Sequence, residues 1–143
     1  MPMFSSVVVG TDGSDTAAEA VRHAIELTKL CGAKLHIVTA YKPKPVRVAG
    51  VPEEFRERLG AGGKADSVLE DQCAQARAAG VEVEGHTGTG DPADAIVRVA
   101  EQEKADVIVV GNKGMAGVRR ALGSVPNSVA HKAPCAVFIV QTT

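Results

Sequence analysis

"ADVIVVGNKGMAGVRRALGSVPNSV", residues 105–129, sets an apolar, β-branched run against a glycine-rich turn, which then runs into a stretch with helix-start punctuation. A core strand that passes at once into glycine does so for one of two reasons. The backbone turns sharply there, or another group comes very close to it. Strand, loop and helix in that order form the repeating unit of parallel α/β proteins, so the fold depends on whether the rest of the chain repeats it.

The rest does repeat it. Upstream, "SSVVVG" (residues 5–10) reads as a first strand, and "TDGSD" supplies turn chemistry. Apolar Ala17, Val21, Ala24, Ile25 and Leu30 recur at helical spacing, Thr16 and Glu19 have capping-box spacing, and Gly32 supplies a stop. "KLHIVTAY" is a second strand. Residues 42–63 carry Pro43, Pro45, Pro52, Gly50, Gly60, Gly62 and Gly63, the composition of a long loop, with a solvated charged turn in "EEFRER". A second helix is expected from about Ser67, with Leu69, Cys73 and Ala76 on one face and Gly80 as its end. "VEVEG" alternates as a strand at an edge would. Asp91 and Pro92 then read as N-cap and first position of a helix burying Ile96, Val99 and Ala100. "ADVIVV" is the fourth strand, a helix starts near Ser124, and "CAVFIV" is the fifth strand.

Strands separated by helical crossovers lie parallel, with helices on both faces. The expectation is one domain over residues 1–143: a Rossmann-like, open five-stranded parallel sheet in the order 3-2-1-4-5.

Composition narrows the function. Apolar residues are 45% and charged residues 23% of the 143, as in an ordinary globular protein. A net charge of −1 and only 3% aromatic residues argue against nucleic acid as a partner. No apolar run approaches the roughly 18 residues of a membrane span. The start of the chain lacks a secretory pattern, and Cys31, Cys73 and Cys135 are widely spaced. A cytoplasmic protein with reduced thiols is expected.

Ligands of open α/β sheets bind beyond the carboxyl ends of the strands, where strand order reverses. The first strand ends in Thr11, Asp12, Gly13 and Ser14, and the fourth in Gly111 and Gly114. As neighbours, these two ends line one crevice. Gly123 and Ser124 open a helix whose positive end favours phosphate; Ser124 fits either a phosphate contact or a cap. Asp12 fits a helix cap or a ligand contact equally. Lys113 lies inside the glycine turn and suits a phosphate better than Arg119 and Arg120 do. Other sites fail. "RLGAGGKAD" lacks the first glycine and the final hydroxyl of a Walker loop, there is no Gly-x-Ser-x-Gly elbow, and no two histidines have metal-ligand spacing.

The whole chain resembles the universal stress protein family. The likeness rests on "VVVGTDGS", "GDPADAI", "APCAVFIV" and the set Gly111, Gly114, Gly123 and Ser124, which matches the Gly-x-x-Gly … Gly-Ser pattern of the nucleotide-binding branch. Eight residues separate Gly114 from Gly123, Met115 to Leu122, where the family has nine. The resemblance implies a nucleotide site made of Gly10, Thr11, Asp12, Ala40, Val110, Gly111, Asn112, Lys113, Gly114, Gly123, Ser124 and Val125. Ala40 would offer backbone groups to adenine, and Asp12 would face the nucleotide through Mg²⁺. It implies an ATP-binding stress-response regulator with little or no catalysis. The alternatives are a slow ATPase or phosphoryl transferase, a cyclic AMP-binding protein and a nucleotide-free dimeric module.

The resemblance also implies a homodimer. The last strand, Ala136 to Val140, is apolar with neither Pro nor charge, a hazard at a sheet edge unless covered. Pairing with the same strand of a second copy would bury Val137 and Ile139, or Phe138 and Val140. The alternative cover is the chain's own 42–63 loop.

Overall fold

The computed structural model describes residues 3–41, 61–112 and 123–142. The elements run β1 (Ser6–Gly10), α1 (Asp15–Cys31), β2 (Lys34–Tyr41), α2 (Ala61–Ala78), β3 (Glu82–Thr89), α3 (Pro92–Gln102), β4 (Val107–Gly111), α4 (Ser124–Lys132) and β5 (Ala136–Val140). The five strands form one parallel sheet in the order β3-β2-β1-β4-β5. This is the expected architecture and order.

β1 is central, so both its faces are covered and Val7, Val8 and Val9 are all fully buried. Side-chain alternation divides them between two cores. Val7 and Val9 join Leu35, Ile37 and Val109 beneath α1 and α2. Val8 joins Val38, Ile108 and Val110 beneath α3 and α4. Each such aliphatic side chain contributes about 1.5–3 kcal/mol on burial, and they make the sheet a rigid platform for the loops at its ends.

Local signals set most boundaries. Gly32 ends α1 in the left-handed conformation, with φ 66°. Asp91 caps α3 by accepting from the Asp94 amide at 3.2 Å, with Pro92 in the first turn. Three expectations need correction. The cap of α1 is Ser14, whose Oγ accepts from the Ala17 amide at 3.2 Å, so Thr16 and Glu19 form no capping box. Glu19 pairs with Arg22 instead. α2 begins at Ala61, ahead of Ser67. Gly62 and Gly63 argue against helix by propensity, at about 1 kcal/mol each, but Ala65 is buried in the same segment and packing overrides the preference. β3 also continues beyond "VEVEG" to Thr89. Its Gly85 lies so close beneath Leu69 and Cys73 that an added Cβ would meet Leu69 Cγ at 2.9 Å.

Asp106 ties the starts of β1 and β4 together. Its Oδ2 accepts from the amides of Ser5 (2.8 Å) and Ser6 (3.0 Å) and from the Ser5 hydroxyl (3.0 Å). The two amides and the hydroxyl hold its carboxyl below the ordinary aspartate range. A depressed carboxyl pKa gives stability that is present above the unfolded-state value and is lost as pH falls through the folded one. Asp106→Asn is therefore expected to lower stability by about 1 kcal/mol at neutral pH, the scale of one net hydrogen bond. Urea unfolding should show that difference shrinking at acid pH.

Candidate functional site

The strand order reverses between β1 and β4, and a cavity of about 370 Å³ lies at the carboxyl end of that boundary. Its size is at the small end of the roughly 300–1,000 Å³ typical of small-molecule sites. One wall is apolar, from Val38, Ala40, Ile96, Val110 and Pro126. The rim is polar, from Thr11, Asp12, Ser14, Asp91 and Ser124.

The loop after β1 is fixed by its own hydrogen bonds. The Thr11 amide donates to the Val38 carbonyl at 2.9 Å, which joins the β1 end to β2. Thr11 Oγ1 accepts from the Gly13 amide at 3.2 Å, and Asp12 Oδ1 accepts from the Ser14 amide at 2.9 Å. Asp12 thus forms a local turn and leaves the cap of α1 to Ser14. Its second carboxylate oxygen has no partner among the described residues. Gly10 has a packing reason of its own, since a Cβ there would stand 2.3 Å from Ile96 Cδ1.

Three helices start at this crevice, and they differ. Ser14 caps α1 and Asp91 caps α3, each with a side chain on an amide of the first turn. The cap position of α4 is Gly123, which has no side chain to offer, and no side-chain cap closes the helix. Among the described residues, the Ser124 and Val125 amides and the exposed Ser124 hydroxyl have no side-chain partner at this positive end of a helix. Capping is not what Ser124 does. Among the described residues lining the cavity the only charged groups are Asp12 and Asp91.

Comparison with known proteins places this arrangement. The sequence pattern of the Universal stress protein family matches residues 3–141. The chain belongs to the universal stress protein family. A universal stress protein of Mycobacterium tuberculosis is 39% identical over 147 residues, across the full length of both chains. The solved structure of a universal stress protein in complex with cAMP is 39% identical, with a TM-score of 0.76, and the match covers 99% of each chain. That of the Archaeoglobus fulgidus family member in complex with dAMP is 26% identical, with a TM-score of 0.69, over 97% of this chain and 99% of that one.

Of the residues the family resemblance points to, Gly10, Thr11, Asp12, Ala40, Val110, Gly111, Ser124 and Val125 line the one crevice. Asn112 and Gly123 stand beside it and are joined to each other. The Gly123 amide donates to the Asn112 carbonyl at 3.0 Å. Asn112 Oδ1 accepts from the Thr142 amide at 3.0 Å and from the Thr142 hydroxyl at 2.9 Å. Lys113, Gly114, Arg119 and Arg120 lie outside the described residues. Sequence reading missed Asp91, Pro92 and Ile96 as lining residues. The helix start in "GDPADAI" was legible as a cap, but nothing local says that α3 begins at the mouth of a cavity set by β1 and β4.

Proposed function

We propose that this universal stress protein holds an adenine nucleotide in the crevice between β1 and β4, as a homodimeric regulator that turns its ligand over little or not at all. The observation that carries the reading is the start of α4, which meets an apolar wall across the cavity without a side-chain cap. A flat base suits the wall of Val38, Ala40, Ile96 and Val110. A phosphate suits the amides of α4 and the Ser124 hydroxyl. The cAMP and dAMP complexes of its relatives support the same ligand class.

ATP is the ligand implied by the Gly111, Gly123 and Ser124 set. Asp12, with one oxygen held by Ser14, has its second oxygen to offer a Mg²⁺ ion, which would supply charge neutralisation for the phosphates. A smaller nucleotide, cyclic AMP above all, is the second reading. Asp12 and Asp91 give the described lining a negative balance, which a single phosphate charge tolerates better than three do. Weak catalysis follows from the same inventory. Among the described residues lining the cavity the carboxylates are Asp12 and Asp91, and each already accepts from a backbone amide of its own turn.

Calorimetric titration of ATP, with and without Mg²⁺, against AMP and cyclic AMP tests the reading. Micromolar or tighter binding of at least one adenine nucleotide is expected, with GTP bound at least about tenfold more weakly. If none of them binds above millimolar affinity, the crevice is not a nucleotide site. ATP hydrolysis on the scale of an ordinary kinase, of order 1 s⁻¹ or faster, would overturn the non-catalytic reading.

A further inference from the structure

At the far end of the sheet from the crevice, four side chains from three elements converge. Sequence spacing offers no metal-ligand pair of histidines, but the sheet supplies one. β2 and β3 pair in register, His36 opposite Glu84 and Val38 opposite His86, so His36, Glu84 and His86 share one face. Glu103, the residue that closes α3, completes the group. His36 Nδ1 and His86 Nε2 are 3.0 Å apart, and the nearer Glu84 oxygen is 3.9 Å from His36 Nδ1. One ligand atom from each of the four residues falls within 4.8 Å of all the others.

We propose that His36, Glu84, His86 and Glu103 form a binding site for a divalent first-row transition ion of the Zn²⁺ type. Two imidazoles and two carboxylates are a donor set suited to such an ion. Tetrahedral bonds of about 2.0–2.2 Å place ligand atoms roughly 3.4 Å apart, so the imidazole pair is already near that spacing. The carboxylates need to close by about an ångström, within the reach of rotation of a Glu side chain. His36 is almost wholly buried, so its ring is held in place by the core, while β3 is an edge strand that gives an ion access. When the ion binds, the proton shared between the two facing nitrogens moves to the far nitrogen of the donor ring. Both imidazoles stay neutral and no redox change is involved.

Lys34 competes. Its Nζ lies 3.0 Å from the same Glu84 oxygen, so it must share that carboxylate with the ion. A hydrogen-bonded histidine pair with a surface ion pair beside it is the structural alternative, and the test separates the two. The protein is stripped with EDTA and titrated with ZnCl₂ by calorimetry, while ¹⁵N spectra follow the imidazoles. One equivalent is expected with micromolar or tighter affinity, and the His36 and His86 nitrogens should shift. His86→Ala, at a partly exposed edge position, should weaken binding at least about 100-fold, and Glu103→Gln about 10-fold. Lys34→Met should leave affinity equal or tighter. No uptake at 100-fold protein excess over a micromolar Kd, uptake unchanged in His86→Ala, or imidazole shifts confined to His23 or His131 would each overturn the site.

Discussion

Ser124→Glu is expected to remove nucleotide binding and leave the fold at least as stable as before. Ser124 is the first residue of α4 and is solvent-exposed. An acidic group there interacts favourably with the helix dipole, by about 0.3–1 kcal/mol. Tm should therefore stay level or rise. The same carboxylate occupies the place where the proposed phosphate would sit. Loss of charge-assisted hydrogen bonds costs about 1.5–3 kcal/mol, or roughly 10–150-fold in affinity, and like-charge repulsion adds to it. A loss of at least about 100-fold is expected by calorimetry, and a smaller one for Ser124→Ala, which removes only the hydroxyl. Wild-type affinity in a folded Ser124→Glu protein would mean that the phosphate does not rest on α4.

That substitution draws on a feature the sequence left open. "GS" before a helix reads equally as a cap and as a phosphate contact, because both uses need the same hydroxyl and amides. Only the start of the helix at Ser124, with Gly123 as its cap position, separates them. The sheet was legible for a simpler reason. Val7 to Val9 and Val107 to Val110 are continuous β-branched runs, which a strand buried on both faces requires, and the helices between them carry their own stops. Boundaries failed where packing outweighs local preference. Gly62 and Gly63 disguised the first turn of α2, and Gly85 hid the middle of β3. The His36–His86 pair was illegible in principle. The residues are 50 positions apart, and only the parallel register of β2 with β3 brings them together.

The last expectation concerns β5, whose outer edge no other strand of the described chain pairs. Val140 is packed into the core under α1, so it has no side chain to lend to a partner. What remains is Phe138, 50% exposed on the α1 side, and Ile139, 38% exposed on the α4 side. The two lie on opposite faces of the sheet. The alternative cover, the chain's own 42–63 segment, falls mostly on residues 42–60, which lie outside the described residues. A second copy of β5, antiparallel about a two-fold axis, would satisfy the open edge and bury Phe138 and Ile139 of both copies. Two-fold symmetry counts every substitution twice. Phe138 is 50% exposed in the single chain, so pairing buries about half of it, and replacing it by Lys would remove about 0.75–1.5 kcal/mol per copy, roughly 1.5–3 kcal/mol per dimer, or about 10- to 150-fold in dissociation constant before the cost of burying the charge. Light scattering at micromolar concentration is expected to give a dimeric mass for the wild type and a monomeric one for Phe138→Lys. Phe138 is half-exposed in the single chain, so the variant should keep its fold, which circular dichroism can check. A wild type that is already monomeric, or a dimer that withstands Phe138→Lys combined with Ile139→Lys, would exclude assembly through this strand.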